Sequence, residues 1–341
     1  MTAVLTPTPA AVVRPVPWHR LGWVAWRRYR PVLAATVALT GVVALYLILR
    51  GHAMRDAYAA ALACTPQASA ACHFDWDSFH SSYADPGLVG AILVFVPAAL
   101  GAFTGAPLLG RELETGTFRF AWTQGAGRMR WLMALLVPGF LGVATLGAVF
   151  GALVSWYEWP LVDGGYTQRM FANLFPITGA AVVGWALLAF AVGVLAGLLA
   201  RRALPAVAAT LALWTGLAFF MSTFRQEHYQ APLVTSQLRL ATSDVQVHQW
   251  WTHGAVRVSN ADLNQVLQAV GVHVNGGDIA VKPGAPDDPF QYLLQHGYTQ
   301  WTSYQPDSRY WPFQWIEFGW LVALSLLLLA AAVWLVRRRG A

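Results

Sequence analysis

Lysine is almost missing from this chain. Of its 22 basic residues only Lys282 is a lysine, and it precedes Pro283-Gly284 rather than following a glycine-rich turn. A chain that hydrolyses nucleotide needs such a turn, with a lysine reaching the phosphates. This one therefore carries no nucleotide-hydrolysing motif of its own. Charge of either sign is also scarce, at 11% of 341 residues, where a soluble domain carries about a quarter. That excludes an ordinary soluble protein. With 57% hydrophobic residues and a mean hydropathy of +0.46, the chain reads as an integral membrane protein. The Gly-x-Ser-x-Gly elbow of serine hydrolases and the His-Glu-x-x-His helix of zinc proteases are both absent. None of the nine histidines falls inside a long apolar run, which argues against a proton relay. His248 and His253 stand five positions apart, a spacing that suits neither one helical face nor one strand face, so no metal site is expected. No nucleophile–base pair stands out, and an enzyme is disfavoured.

What is there instead is length without charge. Six stretches are long enough to cross about 30 Å of hydrocarbon, which takes roughly 20 residues: 32–49, 88–109, 132–154, 173–200, 204–222 and 316–336. Only Arg201-Arg202 and a nearby Pro205 separate the fourth from the fifth, which predicts a tight helical hairpin. The fourth is long and starts either with a tilt or with an interfacial turn at 173–176. Residues 1–31 are polar, proline-rich and basic, a pattern that predicts no cleavable signal.

The basic residues fix an orientation. Fourteen of them lie in the N-terminal tail, the insert at 110–131, the Arg201-Arg202 turn and the tail Arg337-Arg338-Arg339; the remaining eight lie in the other connecting segments. The richer side totals roughly 60 residues and the poorer about 150, so the positive-inside bias places both termini in the cytoplasm. The net charge of +6 serves that purpose, and nucleic acid is not an expected partner. The fold class predicted is an all-α polytopic membrane protein with six transmembrane helices and a small α/β extracytoplasmic domain between helices 5 and 6. Its divisions are a tail at 1–31, helices 1–5 at 32–222, the outer domain at 223–315, and helix 6 with its basic tail at 316–341.

On the outer side, segments at 50–87 and 155–172 read as loops. The first holds Cys64 and Cys72, the only cysteines. In an oxidising compartment they read as a disulfide, with two unpaired thiols as the alternative. The large outer segment shows short β-like runs at 238–240, 255–258, 270–274 and 279–281. Between them a helix is predicted after the cap Ser259-Asn260-Ala261-Asp262, with Leu263, Val266, Leu267 and Val270 at helical spacing.

The most informative stretch is the polar insert at 110–131, with four arginines and two glutamates. Arg111 and Glu114 stand at i, i+3, where a helix would pair them, and Gly116-Thr117 interrupts or ends that helix. Arg128, Arg130 and Trp131 suit the headgroup layer. From composition alone it is either an interfacial loop that anchors its helices or a handle gripped by something else. A second aromatic-dense segment precedes the last span: Trp301, Tyr304, Tyr310, Trp311, Phe313 and Trp315. It reads either as an interfacial belt or as an outer rim that contacts substrate, with Arg309 and Glu317 as a charge pair. Glu158 also lies near the outer boundary of its span.

The run Arg-Glu-x-Glu-x-Gly-Thr-x-Arg-x-Ala-Trp-Thr-Gln-x-x-x-Arg-x-Arg-Trp, Arg111 to Trp131, resembles the membrane-spanning subunits of type-2 ATP-binding-cassette (ABC) exporters of high-GC Gram-positive bacteria. The arginine, alanine, glycine and tryptophan usage is in keeping with such a genome. The stretch Tyr304 to Glu317 is similar to the segment that precedes their final helix. The resemblance implies that the insert is a coupling segment docking on a separate ATPase subunit. Arg111, Glu112, Glu114, Gly116, Thr117, Arg119, Trp122, Thr123 and Gln124 would then be coupling residues. It further implies a plasma-membrane permease that binds no cofactor itself, ATP and Mg sitting on the partner, and that pairs with a second protomer, identical or homologous. Charge-poor spans favour an amphiphilic or hydrophobic cargo: a drug-like metabolite, peptide or lipid. Pro97, Gly101, Gly105 and Pro107 are expected flex points of the second span. The alternative function is a sensor whose outer domain binds a ligand without transport.

Overall fold

The computed structural model describes residues 17–65, 69–83, 87–116, 128–236, 240–275, 278–282, 285–286 and 288–338. Two compact units divide the chain. The first comprises 1–159, 176–219 and 314–341; the second comprises 160–175 and 220–313.

Helices dominate the first unit: α1 (Trp18–Ala63), α2 (Ala70–Tyr83), α3 (Gly87–Thr115), α4 (Arg128–Asp163), α5 (Ala181–Ala200), α6 (Ala203–His228) and α9 (Tyr310–Arg338). α4, α6 and α9 continue into residues of the second unit. Among the described residues, six helices are long and apolar enough to cross a membrane, over Arg30–Ala63, Ile92–Thr115, Met129–Asp163, Ala181–Ala200, Ala203–His228 and Asp307–Arg338. The expected interfacial turn before the fourth span is a 3-10 turn at Phe175–Ile177.

The first span does not stop near residue 49, and the segment at 50–87 is not a loop. α1 runs on to Ala63 because Leu47, Met54, Tyr58 and Ala61 recur on one face and are buried. Its cations are satisfied along the way. Arg50 donates to Ser82 O at 2.7 Å, and Arg55 donates to Trp156 O while its guanidinium lies 3.7 Å from the Trp156 ring centre. Tyr58 meets Trp76 and Phe79 of α2 and Trp159 of α4, with ring centres 5.6–6.2 Å apart. Cys64 and Cys72 form a disulfide with Cα atoms 5.5 Å apart, tying the end of α1 to α2.

α5 is the central helix, apolar on every side and buried over most of its length, as expected of a helix surrounded by others. Phe190, Leu187, Val194 and Leu198 of α5 share one core with Leu108 and Leu109 of α3, Leu132 and Leu136 of α4, and Leu329 and Val336 of α9. Its contact with α3 is unusually close. A Cβ on Gly193 would stand 2.8 Å from Ala106 N, and one on Gly197 2.5 Å from Ala106 O. Gly101 and Gly105 meet α5 in the same way, against Ala186, Ala189 and Phe190. Small residues let helix backbones approach where lipid supplies no hydrophobic drive. Gly101 and Gly105 are thus contact points of α3 with α5.

The second unit holds a four-stranded antiparallel sheet, order β1-β6-β2-β3, from β1 (Leu233–Thr235), β2 (Val245–His253), β3 (Val256–Val258) and β6 (Tyr298–Gln305). A hairpin of β4 (Val272–Asn275) and β5 (Asp278–Val281) stands beside helices α7 (Asn260–Ala269) and α8 (Pro289–Gln295). The predicted cap on α7 is present, Ser259 Oγ accepting from Asp262 N. Trp251, Leu263, Leu267, Val272 and Leu293 form this unit's core. The two longest strands, β2 and β6, were not anticipated. Residues 301–305, read as part of an aromatic belt, belong to a strand that bonds to neighbours on both sides. Residues 160–175, which take in most of the 155–172 segment read as a loop, belong to this unit as well.

Candidate coupling site

The end of α3 carries the described part of the insert. Gly116, at φ +69, gives the helix its left-handed stop, and Thr115 Oγ1 bonds back to Arg111 O at 2.9 Å. Glu112 is buried, whereas Arg111 and Glu114 are exposed. Glu114 does not pair with Arg111 as its spacing suggested. Its Oε2 lies 3.4 Å from Ala203 N, the first amide of α6. That is long for an N–H···O bond, so the attraction is mainly that of a carboxylate for the positive end of a helix. One turn earlier, Gly110 leaves a hypothetical Cβ only 3.2 Å from Ala203 Cα and from the Arg202 carbonyl carbon.

The α5–α6 hairpin is held in shape by Arg201, the only described residue other than glycine at positive φ (54°), whose N–H caps Gly197 O at 3.0 Å. Pro205 sits in the first turn of α6, where a missing amide leaves no bond unmade. The base of the insert therefore abuts the hairpin between α5 and α6 through backbone-to-backbone contact and one carboxylate. Thr117, Arg119, Trp122, Thr123 and Gln124 lie outside the described residues.

At the start of α5 and α9 the first unit holds a second polar cluster. Ala181 N, at the head of α5, donates to Gln314 Oε1 at 2.7 Å, and Trp185 Nε1 donates to Glu317 Oε1 at 2.7 Å. Trp214 Nε1 in turn donates to Trp185 O at 3.2 Å. Glu317 is fully buried, so it lies inside the helix packing and not on an exposed rim. Trp311, by contrast, is about half exposed (52%), and Glu158 on α4 is half-buried.

Within the second unit, Arg309 has its own partners. Its NH1 donates to Ala231 O and to Gln305 Oε1, both at 2.8 Å, so it does not pair with Glu317. Gln305 Nε2 donates to Gln226 O and Gln230 O, each at 2.8 Å. Asp307 takes a two-pronged ion pair from Arg169, Nε to Oδ1 at 3.0 Å and NH2 to Oδ2. The segment that resembled a pre-helix motif thus fastens the end of β6 to its surroundings. Of the two histidines, His248 Nε2 lies 3.2 Å from Glu227 Oε1, and His253 packs on Tyr298 with ring centres 4.6 Å apart.

Sequence reasoning missed Trp185, Gln314, Arg169 and the head of α6. Each acts through a partner more than 80 positions away, and no local pattern marks such a pairing.

Residues 37–225, more than half of the chain, match a family model described as "ABC-2 membrane transporter related". No curated protein and no solved structure matches the chain.

Proposed function

The chain belongs to the ABC-2 membrane transporter related family, as a multi-pass protein of the plasma membrane, and we propose that it is the permease subunit of an ABC exporter. In this reading a separate cytoplasmic ATPase holds ATP and Mg. Two six-span protomers, identical or homologous, enclose the pathway, and the cargo is an amphiphilic or hydrophobic compound.

The observation that carries the reading is the seat of the insert: Glu114 at Ala203 N, with Gly110 against the same turn. A push on the segment after Gly116 moves α3, and α3 bears on α5 through Gly101, Gly105, Gly193 and Gly197. Such a push does work only if the ATPase contacts the segment with different energy in its two states. The disulfide supports the orientation. Cys64 and Cys72 lie before α3 and the insert follows it, and 29 helical residues rise about 43 Å. An oxidising outer face for the disulfide therefore leaves the arginine-rich insert inside.

The test is reconstitution of the permease with its ATPase in vesicles. Glu114→Ala should weaken the permease-dependent stimulation of ATP hydrolysis while leaving the fold intact, because its side chain is exposed. Glu112→Gln serves as the conservative change at the buried neighbour. Full coupling in both variants would argue that the insert does not transmit the stroke.

A further inference from the structure

An open groove of about 600 Å³ runs between α1 and α3 in the first unit. Leu39, Ile92, Phe95 and Phe103 line it and are each about half exposed. The polar side chains in its wall are already engaged. Thr36 donates to Val32 O at 2.9 Å and Thr40 to Thr36 O at 2.8 Å. The occupant therefore meets only hydrocarbon along the wall.

Charge enters at one place. Among the described residues Arg111 is the single charged one lining the groove, and it is exposed. On α1 the residue just before Pro31, the first lining residue, is the exposed Arg30. Nearby acids are occupied or hidden, Glu114 at the head of α6 and Glu112 in the interior. From Pro31 to Val43 the α1 wall rises about 18 Å, a little more than half of the ~30 Å hydrocarbon core. That is the depth of one leaflet and not of a spanning helix. A second copy meeting this face would bring groove to groove and Arg111 to like charge, which fills nothing and repels.

We propose that the groove seats one acyl chain of an anionic phospholipid, with Arg111 binding the headgroup phosphate. A guanidinium and a phosphate form charge-assisted hydrogen bonds of matching geometry. The chain fills a space that would otherwise leave the facing walls of α1 and α3 without contact. The same residue sits five positions before the end of the described insert, so the bound lipid braces the helix that carries it. This inference rests on the membrane location alone and is independent of the exporter reading.

The experiment measures lipid binding to the full chain in mild detergent by native mass spectrometry. Phosphatidylglycerol and phosphatidylcholine with the same acyl chains are compared. Wild-type protein should bind phosphatidylglycerol about tenfold more tightly or better, a difference typical of one charge-assisted contact. Arg111→Gln, which is exposed and should fold normally, should bring the two lipids within about twofold of each other. Ala99→Phe, which fills the groove, should weaken both. Equal binding of the two lipids by wild-type protein, or a preference that survives Arg111→Gln, overturns the proposal. So does full competition by glycerol phosphate, which has no chain. A cysteine placed at Phe95 that cross-links to a second protomer in vesicles overturns it in favour of a subunit contact.

Discussion

Trp185 Nε1 donates a 2.7 Å hydrogen bond to Glu317 Oε1, joining the central helix α5 to α9, and both side chains are fully buried. Carboxylates within membrane spans are costly and rarely persist without a role. Here the indole supplies a donor, while its ring packs edge-on against Trp214 and Trp320. Trp185→Phe keeps most of that ring contact and removes the N–H. We expect it to cost about 1–3 kcal/mol, the penalty for removing one partner of a buried acceptor. Thermal unfolding of the purified protein reads this directly. Trp185→Phe combined with Glu317→Gln should recover part of the loss, since an amide left without that donor is less costly than a carboxylate. If the single variant unfolds at the wild-type temperature, the bond does not hold the two helices.

The closeness of α3 and α5 makes a contrast between two glycines. Gly216 on α6 has nothing within 4 Å of a hypothetical Cβ, whereas Gly197 would place one 2.5 Å from Ala106 O. Glycine inside a helix is worse than alanine by about 1 kcal/mol, so Gly216→Ala should be neutral or slightly stabilising. Gly197→Ala should instead destabilise by about 1–3 kcal/mol through overpacking. The midpoint of thermal unfolding should fall for Gly197→Ala and hold or rise for Gly216→Ala. Equal shifts would mean that the α3–α5 contact yields without strain.

The ion pair Arg169–Asp307 lies in the second unit with both side chains partly exposed, at 40% and 24%. Exposure screens it, so its two-pronged geometry is worth about 1 kcal/mol and not the several expected of a buried pair. Arg169 also lies over the Tyr310 ring, 4.9 Å from its centre, so Arg169→Gln should cost more than Asp307→Asn. A double-mutant cycle on unfolding isolates the coupling between them. That coupling should shrink in ~1 M salt, where the Debye length falls to about 3 Å. A coupling that ignores salt would show that packing, and not charge, joins the two.

The features legible in the sequence are those set by local composition. Each span declares itself by hydropathy, and the Ser259 cap by a short polar signature before an apolar stripe. What escaped reading depends on partners distant in the chain. Arg50 and Arg55 looked like the end of a span, yet α1 continues because Ser82 and Trp156 supply carbonyls for both. β6 carries Gln300, Thr302, Ser303 and Gln305 in buried positions, which no alternation of apolar residues announces. Gln305 is tolerable there because Gln226 and Gln230 offer carbonyls to its amide. Glu317 reads from the sequence as half of a charge pair with nearby Arg309, whereas the indole that donates to it lies 132 positions away. The close approach of α5 to the glycines of α3 is likewise not written in the sequence around them.

Glu114 at the head of α6 tests whether the insert is joined to the hairpin electrostatically. A carboxylate near a helix N-terminus adds about 0.3–1 kcal/mol, too little to move the global unfolding temperature appreciably. It should show instead in local opening, because exchange of individual amides reports the stability of the turn that contains them. In Glu114→Ala, amides in the first two turns of α6 should exchange about two- to fivefold faster, the equivalent of that energy. Amides in the middle of α5 should be unaffected. Glu114→Gln, which keeps an acceptor and loses the charge, should fall between the two. The ordering separates charge from contact. If Glu114→Gln matches wild type, a neutral acceptor suffices. If Glu114→Ala also matches it, the insert touches the hairpin only through Gly110, and α6 would follow α3 by packing alone.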